Sequence, residues 1–168
     1  MWACREAIEW VGDRSLERAW TECERADWML WAAIKVGIDR KVLVLAACDC
    51  AETALKHVPK GEDRPERAIA TARAWARGKA SMGDVCAAAD DAAYAYAYAS
   101  AAYAASAAAA ADAAADDAAY AAAHAAHQAA LAAYDTADAD AAAHAAHRRM
   151  ATLVRRRITV PMLRKAIR

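Results

Sequence analysis

Residues 87–147 read AAADDAAYAYAYASAAYAASAAAAADAAADDAAYAAAHAAHQAALAAYDTADADAAAHAAH, with 38 alanines in 61 positions and neither glycine nor proline. Alanine is the best helix former and nothing here breaks a helix, so the intrinsic preference is helical throughout. One straight helix of that length would reach roughly 90 Å at about 1.5 Å per residue. A compact chain of this size has a radius of gyration of only about 15 Å. The segment is therefore expected to fold back at least once or to stand out as an arm. Aspartates that can cap a new helix supply the breakpoints. A turn is expected between Ser106 and Asp117, with a second option at Asp135 and Thr136.

Working outward towards the N-terminus, apolar residues keep helical spacing and no segment alternates with period two for long enough to make a strand. A first helix is expected from about Ala3 to Val11, stopped by Gly12, and Ser15 can cap a second bearing Leu16, Ala19, Trp20 and Cys23. Asp27 can cap a third that closes at Gly37. Asp39 opens a fourth, which runs to the residue before Pro59 and is apolar on nearly every side through VLVLAAC (42–48), the pattern of a central helix. Pro65 suits the first turn of a fifth, which ends at Ala76, Arg77 and Gly78 with Trp75 on its inner face. Towards the C-terminus, RRMATLVRRRI (148–158) continues as a basic amphipathic helix. The fold class expected is an all-α, single-domain helical bundle in which Trp-rich N-terminal helices pack on a long Ala/Tyr-rich helical hairpin. Its parts are a Trp-rich half (1–80), Ala-rich helices (81–158) and a basic tail (159–168), one domain being what 168 residues support.

The 22 basic and 22 acidic residues cancel, which gives no global attraction to nucleic acid or anionic lipid. Their order is more telling. Residues 1–86 carry 14 of each sign, residues 87–147 carry eight Asp and no Lys or Arg, and residues 148–168 carry seven Arg, one Lys and no acid. Pairing of the basic tail with the preceding aspartates is the simplest expectation, and nucleic-acid binding is not expected. Five cysteines at 4, 23, 48, 50 and 86 include no C-x-x-C pair and fit reduced, mostly buried thiols. Charges at Arg5, Glu6 and Glu9 interrupt any secretory pattern, so a cytoplasmic location is expected. The uncharged run between Asp91 and Asp112 is long enough to span a bilayer, but it holds only Ala, Tyr and Ser, and real spans are driven by larger aliphatics.

The strings CREAIEWVG (4–12), SLERAWTECERADWMLW (15–31) and DRKVLVLAACDCAETALKHVPKGEDRPERAIATARAWARGKAS (39–81), followed by an Ala/Tyr tract and a basic helix, resemble the immunity-5-like family of immunity proteins from bacterial polymorphic-toxin systems. The resemblance covers Cys4 to about Met82 closely and the remainder by composition and layout. It implies a small cytoplasmic protein that binds and neutralises a toxin, and it implies no catalytic residues. Histidines at 124, 127, 144 and 147 depart from the Tyr- and Ala-rich pattern of that family.

The sharpest local pattern is a near-repeat, YAAAHAAH (120–127) and DAAAHAAH (140–147). Spacings of four and three place Asp140, His144 and His147 on one helix face, a set able to hold a divalent metal. The favoured reading is that these are packing positions between alanine helices, and no cofactor is expected. Tyr94 and Tyr98 share a face suited to the core, whereas Tyr96 projects the other way and, with Asp112, Asp116 and Asp117, makes a candidate partner-binding face. No phosphate loop, nucleophile elbow or HExxH occurs, so no enzyme is expected. The function expected is stoichiometric binding of a protein partner, a toxin or effector, with no membrane role. The alternative is a small-ligand or nucleotide pocket built from Trp28, Trp31, His124 and His127 with tail arginines on phosphate.

Overall fold

The computed structural model describes residues 5–58, 60–93 and 139–168. Among the described residues the regular structure is helical: α1 (Arg5–Val11), α2 (Leu16–Glu22), α3 (Ala26–Lys35), α4 (Arg40–Glu52), a 3-10 turn (Leu55–His57), α5 (Arg64–Ala76), α6 (Met82–Ala93), α7 (Ala139–Arg157) and α8 (Val160–Ile167). The architecture is an all-α helical bundle. Helix α4 lies between α5 and α7, α3 closes against both α4 and α7, α6 packs on α5, and α8 touches α2. Neither proposed turn of the Ala-rich segment falls within the described residues. The uncharged run between Asp91 and Asp112 and the inward reading of Tyr94 and Tyr98 lie outside them too. Among the described residues no helix is long and apolar enough to cross a membrane.

Local signals place most of the boundaries. Ser15 Oγ accepts from the Arg18 amide at 3.2 Å, and Asp39 Oδ1 accepts from the Lys41 and Val42 amides at 2.9 and 3.3 Å, satisfying donors that a helix start leaves open. Ser81 and Asp84 cap α6 reciprocally: Ser81 Oγ accepts from the Asp84 amide at 3.2 Å and Asp84 Oδ2 accepts from the Ser81 amide at 2.8 Å. At the end of α3, Gly37 at φ 86° lets its own amide reach the Ile34 carbonyl and the Ile38 amide reach Ala33. Gly78 at φ 73° does the same beyond α5, through Trp75 and Ala74, so both glycines close their helices by the same doubled hydrogen bond.

Three boundaries differ from the sequence reading. Asp27 is not a cap: α3 begins at Ala26 and the Asp27 carboxylate, inside its first turn, is taken by Arg25. A first-turn carboxylate still favours the helix dipole, but a guanidinium two residues away outcompetes the backbone amides. Helix α4 ends at Glu52, short of Pro59, because the Thr53 hydroxyl donates to the Cys50 carbonyl at 2.7 Å and the last turn tightens into i→i−3 bonds at Thr53 and Ala54. The final segment is a helix and not an irregular tail. Pro161 lies in its first turn, and Leu163 is buried while Met162 and Ala166 lean on the core.

The core is built from small residues with a few large ones between them. Ala46, Ala47, Cys48, Cys50 and Ala51 of α4 and Ala68 and Ala72 of α5 are completely enclosed, with Met29, Leu30, Val44, Met150, Val154 and Ile158 filling the wider gaps. Small faces allow close approach of the axes. The Cys48 thiol accordingly reaches the Ile69 backbone carbonyl at 3.8 Å. Trp75 is half-buried against this core, with Lys41 Nζ 6.0 Å from its ring centroid.

Candidate binding surfaces

Helices α2 and α7 finish each other's ends. The buried Trp20 indole N–H donates to the Ile158 carbonyl at 3.0 Å, just past α7, while Arg155 Nη1 donates to the Cys23 carbonyl at 2.8 Å and the Trp20 carbonyl at 3.4 Å, at the end of α2. Each donor meets carbonyls that carry the negative end of a helix dipole. Beside them, Arg25 holds Asp27 through two bonds, at 3.0 and 2.6 Å, and stacks 4.7 Å over the Trp28 ring. His147 of α7 is buried with Nδ1 3.7 Å from Asp27 Oδ1.

This arrangement separates the imidazoles that the repeat suggested as a pair. His147 faces Asp27 in the α3–α7 contact, whereas His144, three residues earlier, is exposed; the side chain of Asp140 lies outside the described residues. Those two imidazoles thus do not converge on one ion, and the described residues include no group of three or more His, Cys, Asp or Glu able to hold one. The thiol of Cys23 also borders this cluster, donating to the Arg25 carbonyl at 3.5 Å, and burial raises its pKa. Burial likewise pushes Cys48 up to about 12 and raises Cys50. These thiols are protonated at neutral pH and are not activated nucleophiles. Cys86 is exposed, and Cys4 lies outside the described residues.

A second cluster joins three helices around one carboxylate. Asp49 of α4 accepts from Arg73 of α5 at 2.8 Å and from Arg157 of α7 at 2.6 and 3.2 Å, and Glu52 takes the other side of Arg73 at 2.7 and 3.0 Å. The Arg73 guanidinium lowers the Glu52 pKa, and the two carboxylates raise that of Arg73. An open groove of about 490 Å³ lies alongside, lined by Asp49, Glu52, Thr53, Leu153, Arg156 and Arg157. On α8, Arg164 pairs with Glu17 of α2. For three residues the expected pairing of the tail with the Ala-rich aspartates is corrected: Arg155, Arg157 and Arg164 are used on the N-terminal half, because charges pair by spatial proximity and not by block order, while Asp112, Asp116, Asp117, Asp135 and Asp138 lie outside the described residues.

Two surfaces are left unpartnered among the described residues. At about 100° per residue, Trp10, Ala7, Val11 and Ile8 of α1 form one apolar arc, with Arg5, Glu6 and Glu9 opposite. Its Trp10 edge packs on Trp28, ring centroids 6.2 Å apart and tilted by 59°, with Arg14 stacked 4.7 Å over Trp10. The other edge is open, leaving Ile8 57% and Val11 40% exposed. The second surface is the outer side of α7, where His144, Arg148, Arg149, Thr152 and Arg156 are exposed and Ala145, Arg148, Arg149 and Thr152 line a hollow of about 400 Å³.

Of the residues singled out from sequence, Tyr96, Asp112, Asp116, Asp117, His124 and His127 lie outside the described residues. Trp28 and Trp31 are half-buried. Trp28 is already engaged by Arg25 and Trp10, and neither tryptophan lines the grooves described above. The sequence reading missed the α1 strip, although the spacing of Ile8 and Val11 relative to Trp10 carried the signal. It also missed the division of the C-terminal arginines into used and unused, for which no local signal exists. The chain matches no family model, no curated protein and no solved structure in the comparisons with known proteins.

Proposed function

We propose that this chain is a cytoplasmic binding protein that neutralises a bacterial toxin or effector by forming a stoichiometric complex, with occlusion of the toxin's working surface as the mechanism. The observation that carries this reading is the α1 strip. A helix whose apolar arc continues past its own contact with the body, next to half-buried tryptophans stacked by arginines, has the composition of an interface hot spot. The helical bundle behind it, with α2 and α7 tied end to end, supplies a rigid frame on which such a strip needs little ordering to bind. The resemblance of residues 4–82 to immunity proteins supports the toxin as the partner. Tyr96, Asp112, Asp116 and Asp117 remain the proposed contact residues of the Ala-rich segment.

The test is co-purification and calorimetry with the toxin encoded by the adjacent gene, alongside inhibition of its activity. A complex of one to one is expected, and Ile8→Asp with Val11→Asp should weaken it by roughly a hundredfold, the loss of two anchors of at least about 1.4 kcal/mol each, with an unchanged helical spectrum. Neutralising Asp112, Asp116 and Asp117 should slow association at low salt, and Tyr96→Ala should speed dissociation. Absence of a complex would overturn the reading.

A further inference from the structure

The C-terminal basic block divides by what its arginines touch. Arg155, Arg157 and Arg164 are committed to Cys23, Asp49 and Glu17. Arg148, Arg149 and Arg156 carry no ion pair among the described residues, and all three lie on the exposed side of α7. Thr152 between them donates its hydroxyl to the Arg148 carbonyl at 3.1 Å, so it offers an incoming group only an acceptor. The hollow over Ala145 is lined by Arg148 and Arg149, Arg156 follows one turn beyond Thr152 on the same side, and no acid occurs in the sequence after Asp140.

We infer that this face of α7 docks an acidic segment of a partner protein, with Arg148, Arg149 and Arg156 each taking a carboxylate. The inference rests on the binding-protein reading above and names the chemistry of a second contact within it. Charge complementarity is the argument, and the boundaries of the patch decide between anions. From Arg148 to Arg156 the helix advances about 12 Å, room for a few carboxylates. At its far end Arg156 shares a groove with Asp49 and Glu52, and residues 87–147 bring no Lys or Arg to extend it. A nucleic-acid strand needs a longer cationic track and a basic excess, and this chain has zero net charge. A short acidic peptide needs neither, and the planar guanidinium fork matches carboxylate geometry.

The experiment is fluorescence anisotropy of the full chain with a labelled Glu-rich peptide and, separately, an oligothymidylate of equal charge, at low salt. Saturable peptide binding is expected, weakened at least about tenfold in Arg148→Glu/Arg149→Glu/Arg156→Glu, since three exposed charge contacts are reversed together. The neutral triple Arg148→Gln/Arg149→Gln/Arg156→Gln should show an intermediate loss and serves if the reversal fails to fold. Lys35→Glu/Arg77→Glu/Lys79→Glu, the same net change on other exposed positions, should leave binding within about twofold. No saturable peptide binding, equal loss in both reversal triples, or preference for the oligonucleotide overturns the proposal. Peptide binding through α7 without any toxin complex would sink the toxin reading and keep this surface. A toxin complex indifferent to the α7 triple would do the reverse.

Discussion

Helices α4 and α7 pack against each other and share the Asp49–Arg157 ion pair, yet burial reaches further round the first than round the second. In α4 the buried set Leu43, Val44, Ala46, Ala47, Cys48, Cys50 and Ala51 covers roughly 200° of the circumference at about 100° per residue, with Val42, Leu45 and Asp49 half-buried on the remaining side. In α7 it is confined to Ala146, His147, Met150, Ala151 and Val154, continued by Ile158, with His144, Arg148, Arg149, Thr152 and Arg156 exposed opposite. Burial over more than half of its circumference commits a helix to the core. Burial on one stripe holds a helix equally well and leaves its remaining face for a partner, so proposed function attaches to α7 and α1 and not to α4.

The largest test of that contrast is thiol reactivity. Ellman's reagent should label Cys86 rapidly, whereas Cys48 and Cys50 of α4, and Cys23, should react only on opening of the fold, slower by roughly a thousandfold or more for a domain stable by at least about 5 kcal/mol. Fast labelling of Cys50 in the native protein would show that α4 is not enclosed.

Next come the core positions. Met150→Ala, at a site with no exposed surface, should cost about 2–5 kcal/mol in urea denaturation, against less than about 0.5 kcal/mol for Thr152→Ala two residues away. Similar costs would mean that α7 is not one-sided. Asp49→Ala removes the acceptor common to Arg73 and Arg157 and should cost about 1–2 kcal/mol, moderated by the partial exposure of both guanidiniums.

The smallest expected effect concerns acid. The Arg73 guanidinium holds the Glu52 carboxyl below its ordinary value, and Arg64 holds Glu62 down to about 2. A carboxyl depressed in the folded state adds stability that is complete above its unfolded pKa and is lost as pH falls through the folded one. Melting temperature should therefore decline from about pH 4.5 towards pH 2. Arg73→Met should remove the Glu52 share and flatten the upper part of that decline; an unaltered profile would show that the α4–α5 bridge contributes nothing.

The caps at Ser15 and Asp39, the stops at Gly37 and Gly78 and the start at Pro65 were legible because each depends on residues within one turn of chain. The central position of α4 was legible as well, since a helix apolar on nearly every side has nowhere else to go. Asp27 was misread because two local partners, amide and guanidinium, competed for one carboxylate. The last helix was missed because eight residues with a proline are too few to declare themselves without Leu163 meeting a core. The histidine repeat shows the limit most directly: His144 and His147 are each preceded by alanines in one octet, yet only His147 turns into the α3–α7 contact.

By itself, then, the sequence determined helicity, most helix ends and the enclosed character of α4, all of which follow from backbone propensity, capping and the periodicity of apolar residues. Only the tertiary structure decided that Asp49 binds Arg73 and Arg157, that Arg164 reaches Glu17, and that Trp20 and Arg155 each close the C-terminal end of the other's helix. The physical reason is range. Capping and helix propensity act between neighbours a few residues apart, whereas ion pairing and hydrogen bonding between helices act over a few ångströms in space, between residues 24 to 147 positions apart along the chain.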